Sequence, residues 1–154
     1  MSLLPFDNLP AYKPRQFLPA QLDLGDWARI EPLFARLKDR APACVTAADL
    51  ERWLLDWGEL NAALDQDGSE RYIAMTCHTD NSEAEAAYLH FVEKIEPQAK
   101  PRQFELAQIY VAHPLRGQLP PSRYQVFDRD TRLQVELFRP ENVPLETEDA
   151  KLSQ

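Results

Sequence analysis

The sequence predicts an all-α, bundle-like domain of about five to seven helices behind an extended, proline-rich N-terminal leader. Apolar residues recur three and four positions apart along most of the chain, the signature of helices with one buried stripe. Gly is scarce, at 4 of 154 residues, whereas Ala, Leu, Glu and Arg abound, a composition poorly suited to a sandwich or barrel with Gly-rich turns. Helix-start chemistry precedes several of the stripes.

A leader over residues 1–24 carries Pro5, Pro10, Pro14 and Pro19. Each proline fixes its own φ and turns the preceding residue away from helix. An extended segment lying on a surface is expected, pinned by Phe6, Tyr12, Phe17 and Leu18; a flexible linker is the alternative. The remainder, residues 25–154, reads as a single helical domain. A chain of this size buries roughly 70% of the surface its unfolded form exposes, enough for a real core.

The first helix is expected to begin near Asp26, to bury Trp27, Ile30, Phe34 and Leu37, and to end by Arg40, before Pro42. Thr46 followed by Asp49 reads as a capping box. Behind it Leu50, Trp53, Leu54, Trp57, Asn61 and Leu64 share a face, and the two tryptophans one turn apart make this the strongest core element. Asp67-Gly68-Ser69 is expected to end or bend that helix, with a short further segment over Glu70–Met75. Thr79-Asp80-Asn81-Ser82 starts another, with Glu83 and Glu85 favourable at its positive end and Ala84, Tyr88, Phe91 and Ile95 on one face. Pro97 and Pro101 should kink or split it. The pattern resumes through Leu106, Ile109 and Tyr110 and stops at His113-Pro114. Pro120-Pro121-Ser122 opens a helix to about Arg139 with two apolar stripes, Tyr124-Phe127-Thr131-Val135-Phe138 and Val126-Leu133-Leu137. A helix apolar on two sides is normally packed on two sides. A fresh helical start over Glu146–Lys151 then runs out at Gln154, which reads as truncation.

The net charge is −8, from 17 basic and 25 acidic residues, and no basic stripe is present. Such a chain repels phosphate backbones and anionic membrane surfaces, so neither nucleic acid nor membrane is an expected partner. No apolar run approaches the length of a membrane span, and Met1-Ser2-Leu3-Leu4-Pro5 lacks the basic and apolar regions of a secretory signal. Cys44 and Cys77 are too few for a disulfide framework, so two free thiols and a cytoplasmic setting are expected.

Residues able to carry chemistry are sparse. His-Glu-x-x-His places two imidazoles on one helical face around a zinc ion, with the Glu activating water. Here His78 precedes Thr79, His90 precedes Phe91 and His113 precedes Pro114, so none begins the motif. His90 and Glu93 could face together on a helix, but no third ligand is in view. Cys77-His78 places two reactive groups side by side, yet adjacent residues point apart and no acid orients them. Asp49, Glu51, Asp56 and Glu59 read as solvated helix-face charge rather than as a general acid–base pair. Trp53 and Trp57 could stack a ligand, but their spacing favours the core. Four glycines leave none for a phosphate-binding loop. No catalytic, cofactor-binding or metal-ligating residue is assigned.

The blocks Leu54–Leu60, Tyr72–Asp80, Glu85–Pro97 and Val135–Leu152 resemble, in order, the N-terminal region of oligoendopeptidase F-type peptidases, a thimet-oligopeptidase-like group of zinc endopeptidases. The resemblance covers most of residues 15–154. It implies a non-catalytic N-terminal domain that shapes the wall of a helical substrate cleft for short peptides. Zinc and the hydrolase chemistry are then implied for a catalytic domain absent from this chain, which by itself is expected to hold no cofactor and to be inactive. Its expected partners are that catalytic domain, or a second copy bound through an apolar face. A stand-alone helical interaction module that kept the fold without peptidase activity is the competing expectation.

Overall fold

The computed structural model of the chain describes residues 17–138, and among them every regular element is helical. Five α-helices follow one another: α1 (Trp27–Arg40), α2 (Ala47–Cys77), α3 (Ser82–His90), α4 (Glu96–Ala112) and α5 (Pro121–Leu137). A π-helical segment, Phe91–Ile95, joins α3 to α4, and 3₁₀ turns at Ala41–Ala43 and Arg116–Gln118 lead into α2 and α5. The expectations for Phe6 and Tyr12, and for a helix over Glu146–Lys151, lie outside the described residues.

Helix α1 starts where Asp26 caps it, its carboxylate accepting the Ala28 N–H at 3.1 Å. Its apolar side buries Ile30, Leu33, Phe34 and Leu37, while Trp27 remains half-buried. Helix α2 opens with the expected capping box: Thr46 Oγ1 accepts the Asp49 N–H, and the Asp49 carboxylate accepts the Thr46 N–H, each at 3.1 Å. These bonds, with a further one from the Val45 N–H, hold the Asp49 carboxyl below its ordinary range. The inner face of α2 buries Leu50, Trp53, Leu54, Trp57, Leu60 and Leu64. Trp53 is fully enclosed, and its indole N–H donates to the Leu37 carbonyl at 2.7 Å, tying α2 to α1.

Helix α2 does not end at Gly68; it continues for 31 residues, through the expected further segment Glu70–Met75. The glycine is there because another helix needs the space. A Cβ at Gly68 would lie 2.6 Å from Cε1 of Phe91, and the backbone φ is negative, so close approach and not a turn explains it. The expected break at Pro97 also takes a milder form. The Glu96 N–H bonds to the Phe91 carbonyl, the i→i+5 spacing of a π turn, and Pro97 then occupies the first turn of α4, where no backbone donor is required. Pro101 is carried inside α4. The stretch Ser82–Ala112 is thus a second long helical rod, antiparallel to α2. Successive contacts record the pairing: Tyr72 against Tyr88, the Arg71 guanidinium on the Ala87 carbonyl, Gly68 against Phe91, and Gln103 donating to Asn61.

Helix α1 packs against both long rods. Polar clasps fix it: Arg102 to Glu31 and Lys38 to Glu105, each at 2.7 Å, and His90 Nε2 to the Gly25 carbonyl at the same distance. Before α1, Phe17 is buried beneath the guanidinium groups of Arg36 and Arg40. Pro114 holds His113 extended and stops α4, as expected. His113 Nδ1 accepts the Leu115 N–H, which leaves Nε2–H to donate to the Ala41 carbonyl at 3.2 Å.

Candidate interaction surfaces

The residues with catalytic potential are dispersed or already engaged. His90 is exposed and bonded to Gly25, at the last position of α3, while Glu93 lies in the π segment beyond it. Cys77 ends α2 and His78 caps it, both exposed. Asp49 is held by the capping box, and Asp56 pairs with Arg40 at 2.8 Å. Glu59 accepts the backbone N–H of Leu18 at 2.7 Å. Among the described residues no group of three His, Cys, Asp or Glu is arranged to hold a metal ion.

Two polar hubs position α5, and neither is evident from the sequence. Asp128 accepts from Tyr110 of α4 at 2.7 Å, from Arg116 at 2.8 Å and from Arg132 at 2.9 Å. Burial pushes its carboxyl upward, but the hydrogen bonds from Arg116 and Tyr110 and the two guanidinium charges outweigh this, leaving it below its ordinary value. The same contact, with burial as the larger cause, pushes the Tyr110 hydroxyl well above its usual range. Glu51 on α2, read from sequence as solvated charge, instead accepts Arg123 at 2.6 Å and the Tyr124 hydroxyl at 2.9 Å. Burial and that hydrogen bond push Tyr124 up to about 12.

With α5 so fixed, its two stripes part company. Thr131 and Val135 face inward and are buried. Val126, Leu133 and Leu137 are 61%, 57% and 58% exposed, an outward apolar row that nothing within the described residues covers, and Phe138, of the other stripe and just past the helix end, is 62% exposed. Phe138 keeps one edge contact, to Phe104 at 6.1 Å.

Two clefts lie on other faces. One, of about 460 Å³, opens between α2 and the α3–α4 rod, floored by Leu64, Gly68, Phe91 and Ala99 and rimmed by Tyr72, Ile73, Glu96 and Lys100. The other, of about 230 Å³, opens between α2 and α5 and is walled by Trp57, Tyr124 and Phe127. Trp57 is buried, yet its indole N–H has no hydrogen-bond partner.

The described region coincides with a known domain family: the peptidase M3 N-terminal domain matches residues 17–138. The chain belongs to that family. Comparison with curated proteins and with solved structures gives no match. Membership agrees with the resemblance drawn from the sequence blocks, and the helical architecture agrees with the expected fold class. No described helix of this family member is long and apolar enough to cross a membrane.

Proposed function

We propose that this chain is the non-catalytic helical part of a zinc oligoendopeptidase, shaping the wall of the cleft that admits short peptides. The outward row of α5 would seat the catalytic part. The observation that carries the reading is that row itself, three large apolar side chains more than half exposed on a helix whose opposite side is anchored by Asp128 and Glu51, in a member of the peptidase M3 N-terminal family. Covering exposed apolar surface yields roughly 25 cal/mol per Å², a substantial drive for association. Zinc chemistry, a metal-activated water attacking a peptide carbonyl, would belong to that other part. The same reading places the protein in the cytoplasm, which the two free cysteines support.

The test supplies, as a separate polypeptide, a His-Glu-x-x-His-bearing catalytic part from an oligoendopeptidase of this family. Light scattering at micromolar concentration should show a complex, and Leu133→Asp should weaken it at least tenfold. A chain that neither associates nor alters cleavage of a quenched fluorogenic peptide would sink the reading.

The 460 Å³ cleft favours a second reading, a helical module that binds peptides without cutting them. Saturable binding of short peptides by the chain alone, lost with Tyr72→Ala, would favour it. Self-association of the wild type that disappears with Leu133→Asp would instead identify a second copy as the cover of α5.

A further inference from the structure

We propose that the cleft between the Arg116–Gln118 turn and the start of α5 is a binding site for a small carboxylate carried on an apolar body. The cleft holds about 380 Å³. Three guanidinium groups line it, those of Arg116, Arg129 and Arg132, against a single carboxylate, that of Asp128. This carboxylate is already saturated. Its two oxygens accept four hydrogen bonds, one from Tyr110, two from Arg116 Nη1 and one from Arg132 Nε. A carboxylate offers about four lone-pair sites, so Asp128 has none left for the remaining guanidinium donors. One of those donors is out of solvent and unmatched: the Arg116 Nε–H is buried and has no partner. Arg116 Nη2 likewise reaches no acceptor among the described residues. Nε–H and Nη2–H share one edge of the guanidinium, an edge that grips a carboxylate with two parallel hydrogen bonds. An unpartnered buried donor is uncommon and unfavourable, and an oxyanion seated in the cleft would satisfy it.

The lining selects the class of ligand. Leu119 and Pro121 supply an apolar wall, and the Tyr124 hydroxyl is already spent on Glu51. A body with apolar surface and one anionic end therefore fits better than a polar one. Beyond its immediate neighbours in the chain, no atom lies within 4 Å of where a Cβ on Gly117 would stand, so the mouth beside Arg116 is open. Helix α5 begins at Pro121 with no side-chain cap, and its positive end adds to the field in the cleft. Arg129 pairs only with Asp130, at 3.3 Å and in solvent, which leaves it able to turn toward a ligand. The chain as a whole carries −8 and repels polyanions. A single compact carboxylate feels the guanidinium groups around it far more than acids beyond a screening length of about 8 Å.

The experiment uses the full chain, isotope-labelled, with the Arg116 Nε–H signal assigned by Arg116→Lys. The probes are phenylbutyrate, its neutral amide, inorganic phosphate, and an alanine tripeptide ending in phenylalanine with its C-terminus free or amidated. Phenylbutyrate should shift the Arg116 signal saturably and slow its exchange with solvent, and the amide should do neither. Arg116→Lys keeps the charge but loses the two-donor edge, and should weaken binding about tenfold; Arg129→Gln should weaken it about threefold. Arg129 is exposed, so its variant reads the site even where Arg116→Lys unsettles α5. The Trp53 indole, bonded to Leu37, should stay in place and report that the fold is intact. A free-acid peptide that binds while its amide does not supports the site with a chain end as the source of the carboxylate. Binding of phenylbutyrate alone supports it with a free acid as the source. An amide that binds as tightly as its acid overturns the proposal in favour of a merely apolar cleft. Phosphate that binds more tightly than phenylbutyrate overturns it in favour of a phosphate site. No shift at millimolar phenylbutyrate, or binding that both variants leave unchanged, also overturns it. None of these outcomes depends on the catalytic part, so the peptidase reading stands or falls separately.

Discussion

The α1–α2 seam and the outer side of α5 both present large apolar residues at helical spacing, Leu with Ile, Phe and Trp in the seam and Leu with Val on α5, yet they end in opposite environments. In the seam, Leu37, Leu50 and Leu60 are wholly buried, and the polar atom of Trp53 is satisfied by the Leu37 carbonyl. On α5, Val126, Leu133 and Leu137 stand in solvent. Apolar periodicity therefore marks surfaces that can be buried, and the neighbours decide whether they are. The seam has two long rods to close on; α5 is held on one side by α4 and by polar anchors, and its other side has no neighbour among the described residues.

The comparison can be broken hardest in the seam. Trp53→Ala removes a fully enclosed indole and strands the Leu37 carbonyl, and should lower stability by roughly 3–5 kcal/mol, read as a fall in the urea midpoint. Gly68→Ala tests the second seam, between the long rods. An exposed helical Gly→Ala change is stabilising as a rule, but here the new methyl meets the Phe91 ring, so a loss of about 1–3 kcal/mol is expected. Thr46→Ala deletes the hydroxyl half of the capping box and should cost roughly 1 kcal/mol by the same measurement.

Titration sharpens the contrast at α5. Asp128 lies below its ordinary 3.8, so it favours folding where the carboxyl is ionised in both states, above about pH 4, and this contribution is lost as pH falls through its folded value. Tyr124 behaves oppositely: its hydroxyl, pushed up from 10.0 to about 12, favours folding below pH 10 and gives that up as the pH climbs to about 12. Asp128→Asn should therefore flatten the acid limb of a stability–pH curve, and Tyr124→Phe the alkaline limb. Leu133→Asp should move the urea midpoint least, within about 0.5 kcal/mol, because the side chain is exposed. A large loss there would show that the row is covered within the chain.

Local chemistry was legible in the sequence and long-range chemistry was not. The Asp26 start, the Thr46–Asp49 box and the His113-Pro114 stop depend on neighbours along the chain, and they stand where the residues place them. Gly68 misled because its reason is the Phe91 ring on another helix. At Pro97 the interruption takes the form of a π turn, which the sequence pattern did not specify. Glu51 and Asp128 look like ordinary surface acids until the fold brings Tyr124, Tyr110 and Arg116 to them. Trp53 and Trp57 read identically from their spacing, and the acceptor that one has and the other lacks is a tertiary fact.

The unbroken rod has a mechanical consequence. At 31 residues α2 is roughly 46 Å long, and the antiparallel partner is stitched to it from Asn61 to Tyr72, so the pair acts as a stiff beam with the α1 seam at one end and the Cys77–Asn81 tip at the other. Stiff beams convert rotation into travel: a tilt of about 5° at the seam displaces the tip by roughly 4 Å over that length. The exposed Cys77 marks the far end, while Cys44 near the seam is half-buried, with its thiol pushed up by burial and by Asp49. A thiol-directed reporter should react first at the tip, where any swing of the beam is largest.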